Sequence, residues 1–480
     1  MKGTQQVYRK LFTDTAVYGL GSIVPRVFNF FLVPLHTRAF GPEAYGRITD
    51  TYGWIAILNV ILLFGMETAY LRFANKAGAD ERKIFQAAQT VILVISLMMT
   101  AMLYGSYGTD LLHVREGEQS LLFYASVTLL VDAWCAIPFV RLRLKNETKK
   151  FALLKISNVA LLVFLNIWFL NAGSATPEQV FLANMLANLG FLIYFLPVLI
   201  SWRPLWNKEL TRPMLSYSFP VMLTGLAGMT NEMFSRVSID NWLPADFYEG
   251  KSPAYVQGIF GACYKFAILM TLVVQAFRMA AEPFFFSRAE QKDSPQVFAQ
   301  VNHYFVVAGT FFMMGICFNL NWLKYIVDEQ YWAGLGIVPW LLLGYLFLGV
   351  YYNLTIWFKV TDKTFYGTVF ALVGALFTIL MNYLLIPVYG IMGSAVVTFL
   401  SYFMMTVMCY FSGQKHYPIP YLTVRDLFTI FSGFAVIQAF NIIHTDSGVL
   451  DLIYGVLATL VSGLVLWLTE KDSFRAGISA

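Results

Sequence analysis

The chain has 480 residues, of which 58% are hydrophobic and only 13% charged, against roughly 25% charged in an ordinary globular protein. With a mean hydropathy of +0.62, a water-soluble fold would expose far more apolar surface than monomers tolerate, so lipid must be the main solvent. A net charge of +5 would hint at nucleic acid in a soluble protein; here the placement of the charges matters more than their sum, and no nucleic-acid partner is expected.

Apolar runs between charged or Gly/Pro breaks predict spans near 12–35, 44–66, 84–108, 119–142, 151–171, 177–201, 213–240, 255–279, 298–320, 332–358, 364–386, 391–411, 426–444 and 449–469. That is an all-α integral membrane protein of about fourteen transmembrane helices, each of about 22 residues. The loops left over are too short for a folded extramembrane domain, so the function must sit inside the membrane. The first span follows Lys2, Arg9 and Lys10 as a signal peptide would, yet it contains Pro25 and Arg26, runs long and lacks a small-x-small cleavage site; it is expected to stay uncleaved.

Placing the N-terminus inside puts 25 of the 33 basic residues on the cytoplasmic side and five outside. This positive-inside bias predicts that both termini are cytoplasmic, in a cell (inner) membrane. Three cations remain within spans: Arg26, Arg236 and Lys265. Cys135, Cys263, Cys317 and Cys409 lie singly in apolar segments without CxxC spacing and read as packing thiols. His36, His113, His303, His416 and His444 fall at predicted loop edges and form no HxxxH or HExxH pair, so no metal or other cofactor is expected.

The two halves of the chain resemble each other. Gly46-Arg-Ile and Tyr52 match Gly258-Ile-Phe and Tyr264; Glu67 matches Glu282; Leu165-Asn166 matches Met381-Asn382; and Gly19-Leu20 with Phe28 match Gly225-Leu226 with Phe234. These ordered offsets point to a duplicated six-helix unit, giving lobes at 1–208 and 209–414 with two appended helices at 415–480. Both lobes would cross the membrane in the same orientation, as in two-lobed transporters whose pathway lies between the halves.

Particular residues carry a family resemblance: Tyr18-Gly-Leu-Gly21, Pro25-Arg26, Asn29-Phe30, Phe40-Gly-Pro-Glu-Ala-Tyr-Gly46, and Asn382-Tyr-Leu-Leu-Ile-Pro-Val-Tyr-Gly390-Ile-Met-Gly393-Ser-Ala395. The chain resembles, over nearly its whole length, the polysaccharide-transport branch of the multidrug, oligosaccharidyl-lipid and polysaccharide exporter superfamily, whose best-known members are oligosaccharide flippases. The resemblance implies alternating access that moves an undecaprenyl-diphosphate-linked oligosaccharide from the cytoplasmic to the periplasmic leaflet. Such a flippase serves O-antigen, capsule or exopolysaccharide assembly, with a polysaccharide polymerase as a further expected partner. Two rivals are a cation-coupled multidrug antiporter of the same superfamily and, more remotely, a membrane-embedded polymerase or ligase. An enzyme of that kind needs polar catalytic groups on a sizeable outer loop, whereas the longest one here, around Trp242–Ala254, has only about a dozen residues; the protein is therefore not expected to be an enzyme.

A charge at a helix centre costs about 2.5–3.5 kcal/mol on insertion scales, so it normally faces the bundle interior or water. Arg26, Lys265 and Arg236 are the expected substrate-binding residues, since a sugar diphosphate is anionic and takes charge-assisted hydrogen bonds. Structural alternatives stand beside this reading. Glu232 and Asp240, one turn to either side of Arg236, could neutralise it, and Asp50, near Lys265 by the repeat alignment, could pair with that lysine. Asp132, in mid-span, Glu232 and Asp50 are the coupling or gating candidates, with a hydrogen-bonded packing role as the alternative for Asp132. Glu67 and Glu282 read as interfacial salt links near Arg72 and Arg288. Tyr18, Tyr52 and Tyr264 could stack on sugar rings or serve in packing.

Overall fold

The computed structural model describes residues 24–25, 27–105, 119–173, 175–441 and 448–478. Every long regular element among them is helical, the form that satisfies its own backbone where water is absent. The helices are α1 (27–39), α2 (Pro42–Leu63), α3 (Met66–Ala74), α4 (Glu81–Gly105), α5 (Gln119–Leu144), α6 (Thr148–Asn171), α7 (Pro177–Ile200), α8 (Lys208–Val237), α9 (Ile239–Trp242), α10 (Pro253–Arg288), α11 (Ser294–Phe318), α12 (Leu320–Leu323), α13 (Val338–Leu354), α14 (Ile356–Val360), α15 (Phe365–His416), α16 (Thr423–Phe440) and α17 (Gly448–Ile478). Eleven helical segments among the described residues are long and apolar enough to cross a membrane, which makes this a multi-pass membrane protein. One of them, α15, holds both of the spans expected at 364–386 and 391–411. The expected span at 213–240 corresponds to α8, which contains Pro213 and Pro220; most of the span at 12–35 lies outside the described residues.

Helix starts follow local chemistry. Thr176 and Gln179 form a capping box at the head of α7, with Pro177 at its first position, where a missing N–H is harmless. Ser252 accepts from Tyr255 N at 3.2 Å before Pro253 opens α10. Phe64 and Gly65, both at positive φ (49° and 67°), separate α2 from α3, and a Cβ on Gly65 would lie 2.7 Å from the Ser218 carbonyl oxygen.

The chain forms two compact units, one of residues through Phe40 plus Arg47–Met233, the other of Gly41–Gly46 plus Phe234 onward. In the first, Met66, Ala69, Tyr70, Ala87, Ala88, Ile92, Ala133 and Ile137 make a core among α3, α4 and α5, and Phe139 meets Phe191 and Phe195 edge-on between α5 and α7. In the second, α13 is apolar on every side, the signature of a helix buried within its bundle, and Leu341, Leu342, Tyr345 and Leu346 are all fully buried. By contrast α17 exposes Leu450, Ile453, Leu457, Leu460, Leu464 and Trp467, the face a lipid-bathed helix presents. Within the second unit, the repeat-related glycines Gly46 and Gly258 bring two helix starts together: a Cβ on Gly46 would lie 2.0 Å from Ala254 O, and one on Gly258 only 1.8 Å from Pro42 O.

Two pairs of matched positions can be compared by their bonds. Asn166 on α6 donates to Leu162 O within its own helix and meets His36 on α1 at 2.8 Å. Its counterpart Asn382 on α15 donates to Thr378 O and to Ser235 on α8. Glu67 interacts with Lys155 and Arg143; its counterpart Glu282 pairs with Lys359, which lies 216 residues beyond Arg143. These, rather than Arg72 and Arg288, are the partners of the two glutamates, for Arg72 lies over the Tyr217 ring and Arg288 reaches Asp293 at 3.6 Å.

Gly390 (φ 58°, ψ −139°) breaks α15, and a Cβ there would lie 2.4 Å from the Tyr248 hydroxyl and 2.8 Å from the Phe247 ring. Gly390→Ala is expected to lower the thermal stability of the detergent-solubilised protein by at least the ~1–2 kcal/mol of a left-handed non-glycine residue. Gly228→Ala, in α8 with no atom within 4 Å of its Cβ, should be neutral or stabilising by up to ~1 kcal/mol. Equal effects of the two changes would contradict this account of the break.

Candidate functional site

The last turn of α8 carries Arg236, and the bonds around Ser235 fix that turn. Asn382 Nδ2 donates to Ser235 Oγ at 3.1 Å and Thr398 Oγ1 donates to the same oxygen at 3.2 Å. The Ser394 hydroxyl reaches Ser235 O at 2.7 Å and Asn382 Oδ1 at 3.0 Å. Asn382 and Ser394 stand on opposite sides of the Gly390 break, so one knot closes the α15 hairpin and holds α8 against it. On the other side, Gln257 Nε2 of α10 donates to the Arg236 carbonyl oxygen at 2.7 Å. The buried Arg236 side chain, 9% exposed, lies with its guanidinium 3.9 Å above the Tyr264 ring, within the range of a cation–π contact.

Lys265, the residue after Tyr264, is half-buried on α10, and its ammonium feels the like charge of Arg236. Two cations of the second unit are therefore close enough to feel each other's charge, and each raises the cost of the other. The Tyr264 ring is only 2% exposed, with Arg236 on its face and Tyr345 packed edge-on at 5.8 Å, so it supports the guanidinium and offers no face to a sugar. Tyr52 accepts from Asn184 Nδ2 at 3.1 Å and packs on Phe181. Tyr18 lies outside the described residues.

The remaining expected residues are distributed as follows. Arg26 lies outside the described residues; its neighbours at 24–25 and 27–39 are helical. Glu232 is half-buried one turn before Arg236 on α8, and Asp240 follows one turn after it on α9, with the bonds from Ser238 N to Phe234 O and from Trp242 N to Ser238 O carrying the helical path across the junction. Asp50 is half-buried on α2 and belongs to the first unit, whereas Lys265 belongs to the second. Asp132 has defined partners: Asn188 Nδ2 of α7 donates to its Oδ1 at 2.9 Å, and Asn158 Nδ2 of α6 donates to Asn188 Oδ1 at 3.0 Å.

Lys155 adds a residue that sequence reasoning missed. It counted as a cytoplasmic cation by position, yet it projects from α6 over the Phe139 and Phe191 rings, at 4.3 and 5.1 Å, and interacts with both Asp132 and Glu67. The signal that could have found the cluster is the spacing of polar residues in apolar helices: Lys155 and Asn158 are three apart on α6, Asn184 and Asn188 four apart on α7, and each pair shares a helix face. His36 and His303, expected at loop edges, are both buried in helices, His303 against Asp426 and Glu470. The four cysteines are free and buried.

Comparison with known proteins follows the same outline. The family model described as "Polysaccharide biosynthesis protein" matches residues 11–289. The Lsg locus protein 1 of Haemophilus influenzae is 20% identical over 285 residues, 59% of this chain and 68% of that protein. Among solved structures, the lipid II flippase MurJ in an inward closed conformation superposes with a TM-score of 0.73 at 14% identity, covering 97% of this chain and all of that one. An inward-facing multidrug resistance MATE family transporter of the MOP superfamily gives 0.61 at 11% identity, covering 88% and 96%. At these identities the structural matches establish the fold.

Asn382→Leu removes the centre of the knot, taking one bond from Ser235 Oγ and one from the Ser394 hydroxyl, which keep Thr398 and Ser235 O as partners; it should lower stability by ~1–3 kcal/mol, read from the unfolding temperature in detergent. Asn382→Ser, which keeps a donor, should lose less. A neutral Asn382→Leu would show that the knot does not hold the Arg236 turn.

Proposed function

Because the chain belongs to the polysaccharide biosynthesis protein family, we propose that it is a flippase moving a polyprenyl-diphosphate-linked oligosaccharide from the cytoplasmic to the periplasmic leaflet by alternating access, for assembly of a cell-surface polysaccharide. The observation that carries this reading is the buried guanidinium of Arg236 next to the Lys265 ammonium. Two cations this close raise each other's cost, and a lipid-linked diphosphate, with about two negative charges and an apolar tail, can take charge-assisted hydrogen bonds from both. Arginine supplies a planar fork for phosphate oxygens and lysine a compact point charge. Arg26 is assigned to the same task as a third cation.

In this reading the cationic pair holds the diphosphate while the sugars occupy polar space, and the prenyl chain stays in the bilayer. The lobes at 1–208 and 209–414 exchange access, with the helices of 415–480 appended. Both termini face the cytoplasm of an inner membrane, as the distribution of basic residues favours, and a polymerase receives the product at the outer face. The protein makes and breaks no covalent bond; its work is to lower the cost of carrying a charged head group across hydrocarbon. Coupling to a proton or cation is assigned first to Asp132. It is a carboxylate held by Asn188 and balanced by Lys155, so a change in its protonation alters the charge balance of three helices. Glu232 and Asp50 are the further coupling candidates.

The test is transport of a defined lipid-linked oligosaccharide in proteoliposomes. Arg236→Ala and Lys265→Ala should each slow transport by about tenfold or more, the equivalent of ~1.4 kcal/mol. Asp132→Asn should remove the response to a pH gradient while leaving downhill movement. Wild-type transport by the Arg236→Ala/Lys265→Ala double variant would overturn the assignment; retention of cationic-drug export by that variant would favour a multidrug antiporter.

A further inference from the structure

Outside the site just described, the second unit buries a second set of ionisable groups where α11, α16 and α17 meet. His303 on α11 is 1% exposed, Asp426 on α16 5% and Glu470 on α17 3%. His303 Nδ1 lies 2.5 Å from Asp426 Oδ1, and His303 Nε2 lies 2.8 Å from Glu470 Oε2. Arg425 grips Glu470 with two nitrogens, at 2.6 Å to Oε2 and 3.1 Å to Oε1, and donates to Thr469 O at 3.0 Å. The second oxygen of Asp426 accepts from Asn302 at 3.0 Å, and Asn353 of α13 stands behind Asn302 at 3.5 Å.

The proton count of this cluster follows from its geometry. A neutral imidazole has one N–H and one lone pair. With a carboxylate oxygen against each ring nitrogen, a neutral ring would set a lone pair against a lone pair in one of the two contacts. Both contacts become hydrogen bonds only when one more proton is present, on the ring or on a carboxyl oxygen. With that proton, His303, Asp426, Glu470 and Arg425 sum to zero charge; without it they leave one buried negative charge, which costs several kcal/mol away from water.

We propose that His303, Asp426 and Glu470 form a proton-binding site that docks the start of α16 and the end of α17 onto α11, and that loss of the proton releases that junction. The face α17 turns outward is apolar and lipid-exposed, and a further polar tie among the described residues joins Thr459 to Asn319, just past the end of α11, at 3.0 Å. The bound proton is thus a main determinant of where the end of α17 sits. Charged groups on the neighbouring elements include Arg425 on α16, Lys471 beside Glu470 on α17, and, on α10, Arg278, which lies over the Tyr352 ring, and Glu282, which is paired with Lys359 of α14. The site shares no residue with the Arg236–Lys265 pair or the Asp132 cluster, so it acts on the appended helices whether or not the transport reading holds.

The test uses the full chain in lipid nanodiscs. Nitrogen-15 spectra of histidine-labelled protein, with the His303 signals assigned by their loss in His303→Gln, should show at neutral pH either two ring N–H groups, or one together with a carboxylic-acid infrared band that disappears in Asp426→Asn or Glu470→Gln. A single-tautomer neutral ring without a carboxylic acid would overturn the proposal. Amide hydrogen exchange over 448–478, corrected for the intrinsic effect of pH, should rise about tenfold at alkaline pH in the wild type. Glu470→Gln, which needs no extra proton, should lack that step. If the two proteins gave the same corrected profile, the proton would not be what docks α17.

Discussion

Hydrocarbon supplies no hydrogen bonds, so a polar group that this chain carries into the membrane is met by another part of the chain or pays several kcal/mol for isolation. The helices answer for the backbone; the side chains need partners on other helices, and those partners are what fix the helices relative to one another. Ser235, Asn382, Ser394 and Thr398 join α8 to both halves of α15. Asp132, Asn188 and Asn158 join α5, α7 and α6. His303, Asp426 and Glu470 join α11, α16 and α17. Apolar packing fills the space between helices, but lipid tails are as apolar as leucine and confer little preference for one neighbour over another. Specific placement comes from the few polar contacts, together with glycines such as Gly46 and Gly258 that let backbones touch.

This constraint explains what was legible in the sequence. A residue's cost in lipid depends on its type and its place in a hydrophobic run, both of which can be read without coordinates. The helical class, the helix start at 177, and the separation of Arg236 and Lys265 from the other cations could all be found in that way. The repeat was legible too, because matched positions such as Asn166 and Asn382 face the same local problem and solve it alike, each bonding back to its own helix and across to another.

What remained hidden was the direction in which side chains point and the partners they find in space. Lys155, near a helix start, reads as an interfacial cation; its long stem instead lays the ammonium across two phenylalanine rings towards Asp132. His303 lies near a predicted span end and reads as solvated, because Asp426 and Glu470 are more than a hundred residues away in sequence. Even Tyr264, correctly singled out by the repeat, changes meaning once Arg236 is seen to cover its ring.

The two units also handle charge differently. In the first, Asp132 and Glu67 are set against Lys155 and Arg143, an arrangement near neutrality. In the second, Glu282 is answered by Lys359 at the repeat-matched place, while Arg236 and Lys265 put two positive charges within reach of each other. Both units are built from long helices, so this difference rests on a handful of side chains rather than on the kind of element. At 14% and 11% identity the same fold is found in a lipid II flippase and in a multidrug transporter, so the fold constrains how the helices pack and leaves the buried charges free to differ.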